Sequence, residues 1–144
     1  MIKVKNIDHV AVAVGDLDAA AAHLGAMFGL HTTTRERVAG QETDVLFLHP
    51  DPAKNDAAVE LICPTGQGDN KGLRRFLDQR GPGLHHVCFE VEDLAAALAD
   101  LKAQGVALID EQPRPGARGH QVAFIHPRAT GGVLFELCQK GDSR

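Results

Sequence analysis

Two histidines and two glutamates stand at matching places in a repeated pattern, and those four side chains could hold a metal ion. His9 opens the run "HVAVAVGDLDAAAAHL" and His86 opens "HVCFEVEDLAAALADL", an offset of 77 residues. Near the end of each half, Glu60 lies in "VELIC" and Glu136 in "FELCQ". "FLHP" (Phe47–Pro50) likewise falls on "FIHP" (Phe124–Pro127). Matches that keep their order along the chain identify two copies of one module, with a boundary in "DQRGPG" (Asp78–Gly83).

Neighbouring strand residues point to opposite faces. Val10, Val12 and Val14 therefore share one face, and His9, Ala11 and Ala13 the other. In the second copy Val87, Phe89 and Val91 oppose His86 and Cys88. Glu60 and Glu136 are each flanked by bulky apolar residues. The bulky face must pack on the module's helix, so each module offers one His and one Glu on its other face. Two imidazoles with two carboxylates form an N₂O₂ set that leaves coordination positions open. It suits Co, Ni, Mn, Fe or Zn better than an all-oxygen calcium cage. Structural zinc would prefer thiolates. A single strand histidine is more often just a solvated or hydrogen-bonded side chain; recurrence of all four in register is what singles these out.

The elements that must position them read β-α-β-β-β, twice. The first strands are Ile7–Val14 and His85–Val91. An Asp-Leu follows each, with the Asp placed to cap a helix. Ala/Leu-rich helices span about Leu17–Phe28 and Leu94–Gln104 and stop at Gly29 and Gly105. The remaining strands are expected at Thr32–Val38, Asp44–Leu48 and Ala57–Cys63, then at Val106–Glu111, Gln121–Ile125 and Gly132–Cys138. Between the modules, "NKGLRRFLDQRG" reads as a short helix with Leu73, Phe76 and Leu77 on one face.

The chain has 144 residues and a net charge of −4, with no Trp or Tyr. Basic patches interleaved with aromatics are missing, which argues against a nucleic-acid partner. No apolar run reaches the roughly 18 residues of a membrane span and no secretory pattern opens the chain, so a cytoplasmic protein is expected. Cys63, Cys88 and Cys138, an odd count without a CxxC, read as reduced packing residues.

The layout resembles the vicinal oxygen chelate superfamily, which includes glyoxalase I, extradiol dioxygenases, fosfomycin-resistance proteins and methylmalonyl-CoA epimerases. "IDHVAVAVGDLDAA", "VELICPTG", "FLDQRGPGLHHVCFEVEDLAAALADLKAQGVALIDEQPRPGARG" and "VAFIHPRATGGVLFEL" look most like the epimerases. The resemblance runs from about Ile7 to Gln139. It implies an α+β fold in which two tandem βαβββ modules form an open, curved eight-stranded sheet around a metal site, with helices on the outer face. That makes one domain, with module one at about 5–64, a linker helix at about 70–81 and module two at about 83–140.

By position, the resemblance implies a divalent metal on His9, His86 and Glu136, with Glu60 where relatives carry Gln or Glu. It further implies an acyl-CoA substrate, a homodimer, and epimerisation of (2R)- and (2S)-methylmalonyl-CoA. Inverting a stereocentre needs an acid/base group on each side of the planar enolate, and Glu136 is one candidate. Some relatives place the second base where this chain has Val45. Asp44 has the wrong parity and Glu42 sits three residues earlier, so Glu60 is the economical alternative. A further departure is "AAAHLGAMFGL", where His23 and Leu24 stand near an aromatic pair of many relatives.

Other residues read differently. His85 is structural. His49 and His126 stand in "HP" pairs as turn caps, while His23, His31 and His120 have no partner argument. "RPGARGHQ" is either a solvated loop or a lid over the acyl-CoA. Competing functions are glyoxalase I and a metal-free binding protein of the same fold.

Overall fold

The computed structural model describes residues 1–54, 56–65 and 71–141. Outside them lie Asn55 of "DPAKND", the end of "VELICPTG", the first residue of the expected linker helix and the last residues of the tail. Contacts divide the chain into two compact units, His9–His85 and Met1–Asp8 with His86–Arg144. The described residues hold eight strands and three α-helices, an α+β chain in two βαβββ repeats.

In the first unit, β1 (Val4–Ala13) contributes from His9 onward. Helix α1 (Leu17–Phe28) follows, then β2 (His31–Val38), β3 (Thr43–His49), β4 (Ala58–Pro64) and helix α2 (Lys71–Arg80). The strand order is β2-β3-β4-β1, with β1 and β4 parallel. Helix α1 starts where the Asp16 carboxylate accepts the Ala19 N–H at 3.0 Å and stops at Gly29, whose φ of 67° most side chains avoid. Its inner side meets Leu46, Leu48 and Leu61, with Leu24 packed against them. On α2, Leu73 is buried and the Phe76 ring lies edge-on to His85 at 5.0 Å. His85 is thus a packing residue.

The second unit contains β5 (Gly83–Val91) from His86 onward, α3 (Leu94–Ala103), β6 (Arg114–Pro115), β7 (Gln121–Ile125) and β8 (Phe135–Gln139), ordered β5-β8-β7-β6. Asp93 caps α3 by accepting the Ala96 N–H at 3.0 Å, as Asp16 caps α1. Leu94, Leu98, Ala123 and Leu137 form the core beneath it; full burial of one Leu stabilises by about 1.5–3 kcal/mol. The first eight residues are tied in through Glu90. This buried carboxylate accepts from Asn6 at 2.9 Å and is approached by Lys5 and Lys140 at 3.6 and 3.5 Å.

Two strand expectations need correction. Val106–Glu111 is not a strand; it makes only an isolated bridge between Leu108 and Ile125. The N–H groups of Ile109 and Asp110 both turn to the Phe124 carbonyl, and the Asp110 carboxylate accepts the Phe124 N–H at 2.8 Å. That side chain takes a strand's hydrogen bond for itself. The edge strand forms later, at Arg114–Pro115, where proline is tolerated. The last strand starts at Phe135 and not at Gly132, because Gly131 and Gly132 turn the backbone with φ of 73° and 97°. Among the described residues no helix is long and apolar enough to cross a membrane.

Candidate metal centre

Strand register builds the same pair in each half. In the first, parallel β1 and β4 set Ala11 opposite Glu60, so His9 lies two residues back on the same face. His9 Nε2 is 3.5 Å from Glu60 Oε1. Antiparallel β3 sets Phe47 opposite Glu60, and its ring meets His9 edge-on at 5.6 Å and 86°. In the second half, Cys88 and Phe124 stand opposite Glu136. His86 Nε2 is 3.6 Å from Glu136 Oε1, and the Phe124 ring meets His86 at 5.2 Å and 89°.

All four polar side chains are buried, at 3% to 6% exposure. Burying a carboxylate costs several kcal/mol unless a positive partner offsets it. A separation of 3.5 to 3.6 Å exceeds a good hydrogen bond. In each half, then, an imidazole nitrogen and a carboxylate oxygen lie side by side in a dry, aromatic-walled position. The donor set fits a divalent transition ion, which would offset the buried negative charge.

A family model for the glyoxalase/bleomycin resistance protein/dioxygenase superfamily matches residues 8–124. The chain belongs to this superfamily. Within it the chain falls with the epimerases. It is 36% identical to the ethylmalonyl-CoA/methylmalonyl-CoA epimerase of Cereibacter sphaeroides, over 92% of this chain and 96% of that protein. The crystal structure of methylmalonyl-CoA epimerase from Mycobacterium tuberculosis superposes with a TM-score of 0.88 at 34% identity, covering 96% of this chain and 89% of that one. A methylmalonyl-CoA epimerase in complex with methylmalonyl-CoA and NH₄⁺ gives 0.88 at 29% identity, covering 97% of each.

Against this superfamily background, the other expected residues sort by parity. Val45 is buried on β3, opposite Ile62. Asp44 turns the other way and pairs with Arg37 at 2.8 Å; the Arg37 guanidinium holds the Asp44 carboxyl below its ordinary value. Glu42 sits in a turn at φ 50°, its carboxylate facing the Thr65 hydroxyl at 3.5 Å. His126 is a turn cap, its Nδ1 accepting the Arg128 N–H at 3.1 Å, whereas His49 instead shares a 2.8 Å hydrogen bond with Thr33. His23 is exposed on α1, and Leu24 beside it packs into the core.

The "RPGARGHQ" segment is partly solvated, with Pro115, Gly119 and Gln121 exposed, but its arginines are held. Arg118 donates to the buried Asp8 carboxylate at 2.5 Å. Arg114 lies 3.3 Å from Asp110 and above the Phe124 ring. Gly116 permits this course: a Cβ there would come within 2.6 Å of Val122.

Sequence reasoning missed one grouping. His120 has no partner in the linear pattern, and Cys138 reads as packing. Folding brings a donor atom of each within 4.8 Å of the other and of Asp8. Hydrogen bonds with Cys88 and His120 draw the Cys138 thiol down to about 7, while burial pushes Cys88 up. The repeat carries no signal for it: at an offset of 77, His120 falls on Thr43 and Cys88 on Ala11. These donors therefore exist in one half alone.

Proposed function

We propose that the chain epimerises methylmalonyl-CoA, with His9, Glu60, His86 and Glu136 as ligands of one divalent metal ion. The observation that carries the reading is the His–Glu pair set at the same register in both halves. Similarity to epimerases over nearly the whole chain supports the substrate class.

The reacting C–H lies α to a thioester and next to a carboxylate, so its removal leaves an enolate. A divalent ion held by these residues supplies Lewis-acid stabilisation of the negative charge that builds on the thioester oxygen. Glu136 and Glu60 act as the acid/base pair: one takes the α-proton, and the other returns a proton to the opposite face. Phe47 and Phe124, each beside its glutamate, keep water away so that the proton passes between carboxylate and carbon. Val45 leaves its strand position without a base, and in this reading Glu60 takes that role. The histidines orient the site and do not move protons.

Metal-loaded protein incubated with (2R)-methylmalonyl-CoA in D₂O should exchange the α-proton and equilibrate the two epimers. Turnover of methylglyoxal–glutathione without that exchange would assign the glyoxalase I reaction instead. Glu60→Gln that keeps both the metal and the full epimerase rate would remove Glu60 from the mechanism.

A further inference from the structure

We propose a second metal site in this chain, selective for soft divalent ions and formed by Cys88, Cys138, His120 and Asp8. It lies wholly within the unit of Met1–Asp8 and His86–Arg144 and shares no residue with the four glutamate and histidine ligands proposed above.

The donors converge from four segments. Asp8 comes from β1, Cys88 from β5, Cys138 from β8 and His120 from the turn before β7. Donor atoms of Asp8, His120 and Cys138 all lie within 4.8 Å of one another, and Asp8 and Cys88 also meet within that distance. Cys88 and Cys138 pack in one buried cluster. Asp8, Cys88 and Cys138 are buried, at 5%, 0% and 1% exposure.

Two thiols this close invite a disulfide, but the register resists one. Cys88 stands opposite Glu136 and Cys138 opposite Glu90, so the cysteines are diagonal neighbours. Such neighbours are about 7–8 Å apart, at or beyond the roughly 7 Å at which Cα atoms can still be bridged. An ion between the sulfurs needs no such approach, because each sulfur reaches it through its own bond of about 2.3 Å.

The chemistry is also balanced. Two thiolates, one imidazole and one carboxylate are a tetrahedral set typical of zinc and other thiophilic ions. Binding releases the two thiol protons to solvent. Two thiolates, one carboxylate and a divalent cation sum to −1, and the Arg118 guanidinium on Asp8 brings the cluster to neutrality. Val122, buried in the same cluster as Cys88 and Cys138, helps keep water from the sulfurs. The first half has Ala11, Thr43 and Ile62 at the places of Cys88, His120 and Cys138. The module itself therefore does not require these donors.

Cobalt(II) separates the two sites, because only a sulfur ligand produces thiolate-to-cobalt charge transfer in the near ultraviolet. Chelator-stripped, reduced full-length protein titrated with Co(II) should develop that band, with cobalt binding beyond one equivalent per chain. His9→Ala with His86→Ala should leave the band in place. Cys138→Ser should roughly halve the band and Cys88→Ser with Cys138→Ser should abolish it, while His120→Ala, whose half-buried side chain is a milder loss if the serine variants fail to fold, should shift the band and weaken cobalt binding at least tenfold. Bound cobalt should also protect both cysteines from a thiol reagent. Saturation at one equivalent without the band, or a band that survives the double serine variant in folded protein or is unmoved by His120→Ala, overturns the proposal. Neither result bears on epimerisation.

Discussion

The two halves hold their His–Glu pairs at nearly one separation, 3.5 Å in the first and 3.6 Å in the second, yet they surround them differently. Beside Glu60 the same-face neighbours are Ala11, Val45 and Ile62; beside Glu136 the corresponding places hold Cys88, Val122 and Cys138. Arg37 reaches across to Asp44, whereas its counterpart Arg114 bonds Asp110 and covers Phe124. The turn before β3 places Glu42 at φ 50°, and the equivalent turn before β7 uses Gly119 at φ 69°. What duplication preserved is the pair and its aromatic wall. What diverged is the set of side chains packed around them.

The comparison can be broken most decisively at the carboxylates. Glu60→Gln and Glu136→Gln should each lower the epimerisation rate by about 10²–10⁴-fold, measured by α-proton exchange. A large loss in one and none in the other would make the chemistry one-sided. The cores come next. Leu98→Ala beneath α3 and Leu48→Ala beneath α1 remove fully buried side chains, and each should cost about 2–5 kcal/mol in denaturant unfolding. Unequal costs would show which half packs more tightly.

The helix caps sharpen the likeness at a smaller scale. Asp16→Ala and Asp93→Ala should each destabilise by about 0.5–2 kcal/mol, and by similar amounts, since both accept at 3.0 Å. The smallest effect belongs to the pair the second half lacks. The folded pKa of Asp44 is depressed, so its pairing with Arg37 stabilises above the unfolded value of 3.8 and is lost as pH falls through the folded one. Asp44→Asn should lower the melting temperature slightly near neutrality and not at all in strong acid.

Much of this was legible in the sequence because duplication supplies an internal control. The repeat located both helices, both Asp caps and the two buried His–Glu pairs, since each is a local signal stated twice. The parity of Val10 and Phe89 likewise assigned the faces. Edges and turns were less legible. Val106–Glu111 carries a strand-like pattern, but Asp110 competes for the Phe124 backbone, and a side chain's choice of partner is not written in periodicity. The Asp8, His120 and Cys138 grouping joins residues 112 and 130 positions from Asp8, with no second copy to reveal it.

The unit of Met1–Asp8 and His86–Arg144 has a consequence for the order of synthesis. Residues 9–85 form a contiguous stretch that can fold as it leaves the ribosome at about 5–20 residues per second. Lys5, Asn6 and Asp8 are made before it, yet their partners Glu90 and Arg118 come after it. For several seconds Lys5, Asn6 and Asp8 therefore exist without these partners. The lysine and asparagine among them, polar and unwilling to be buried alone, suit a segment that has to stay soluble until its counterpart arrives.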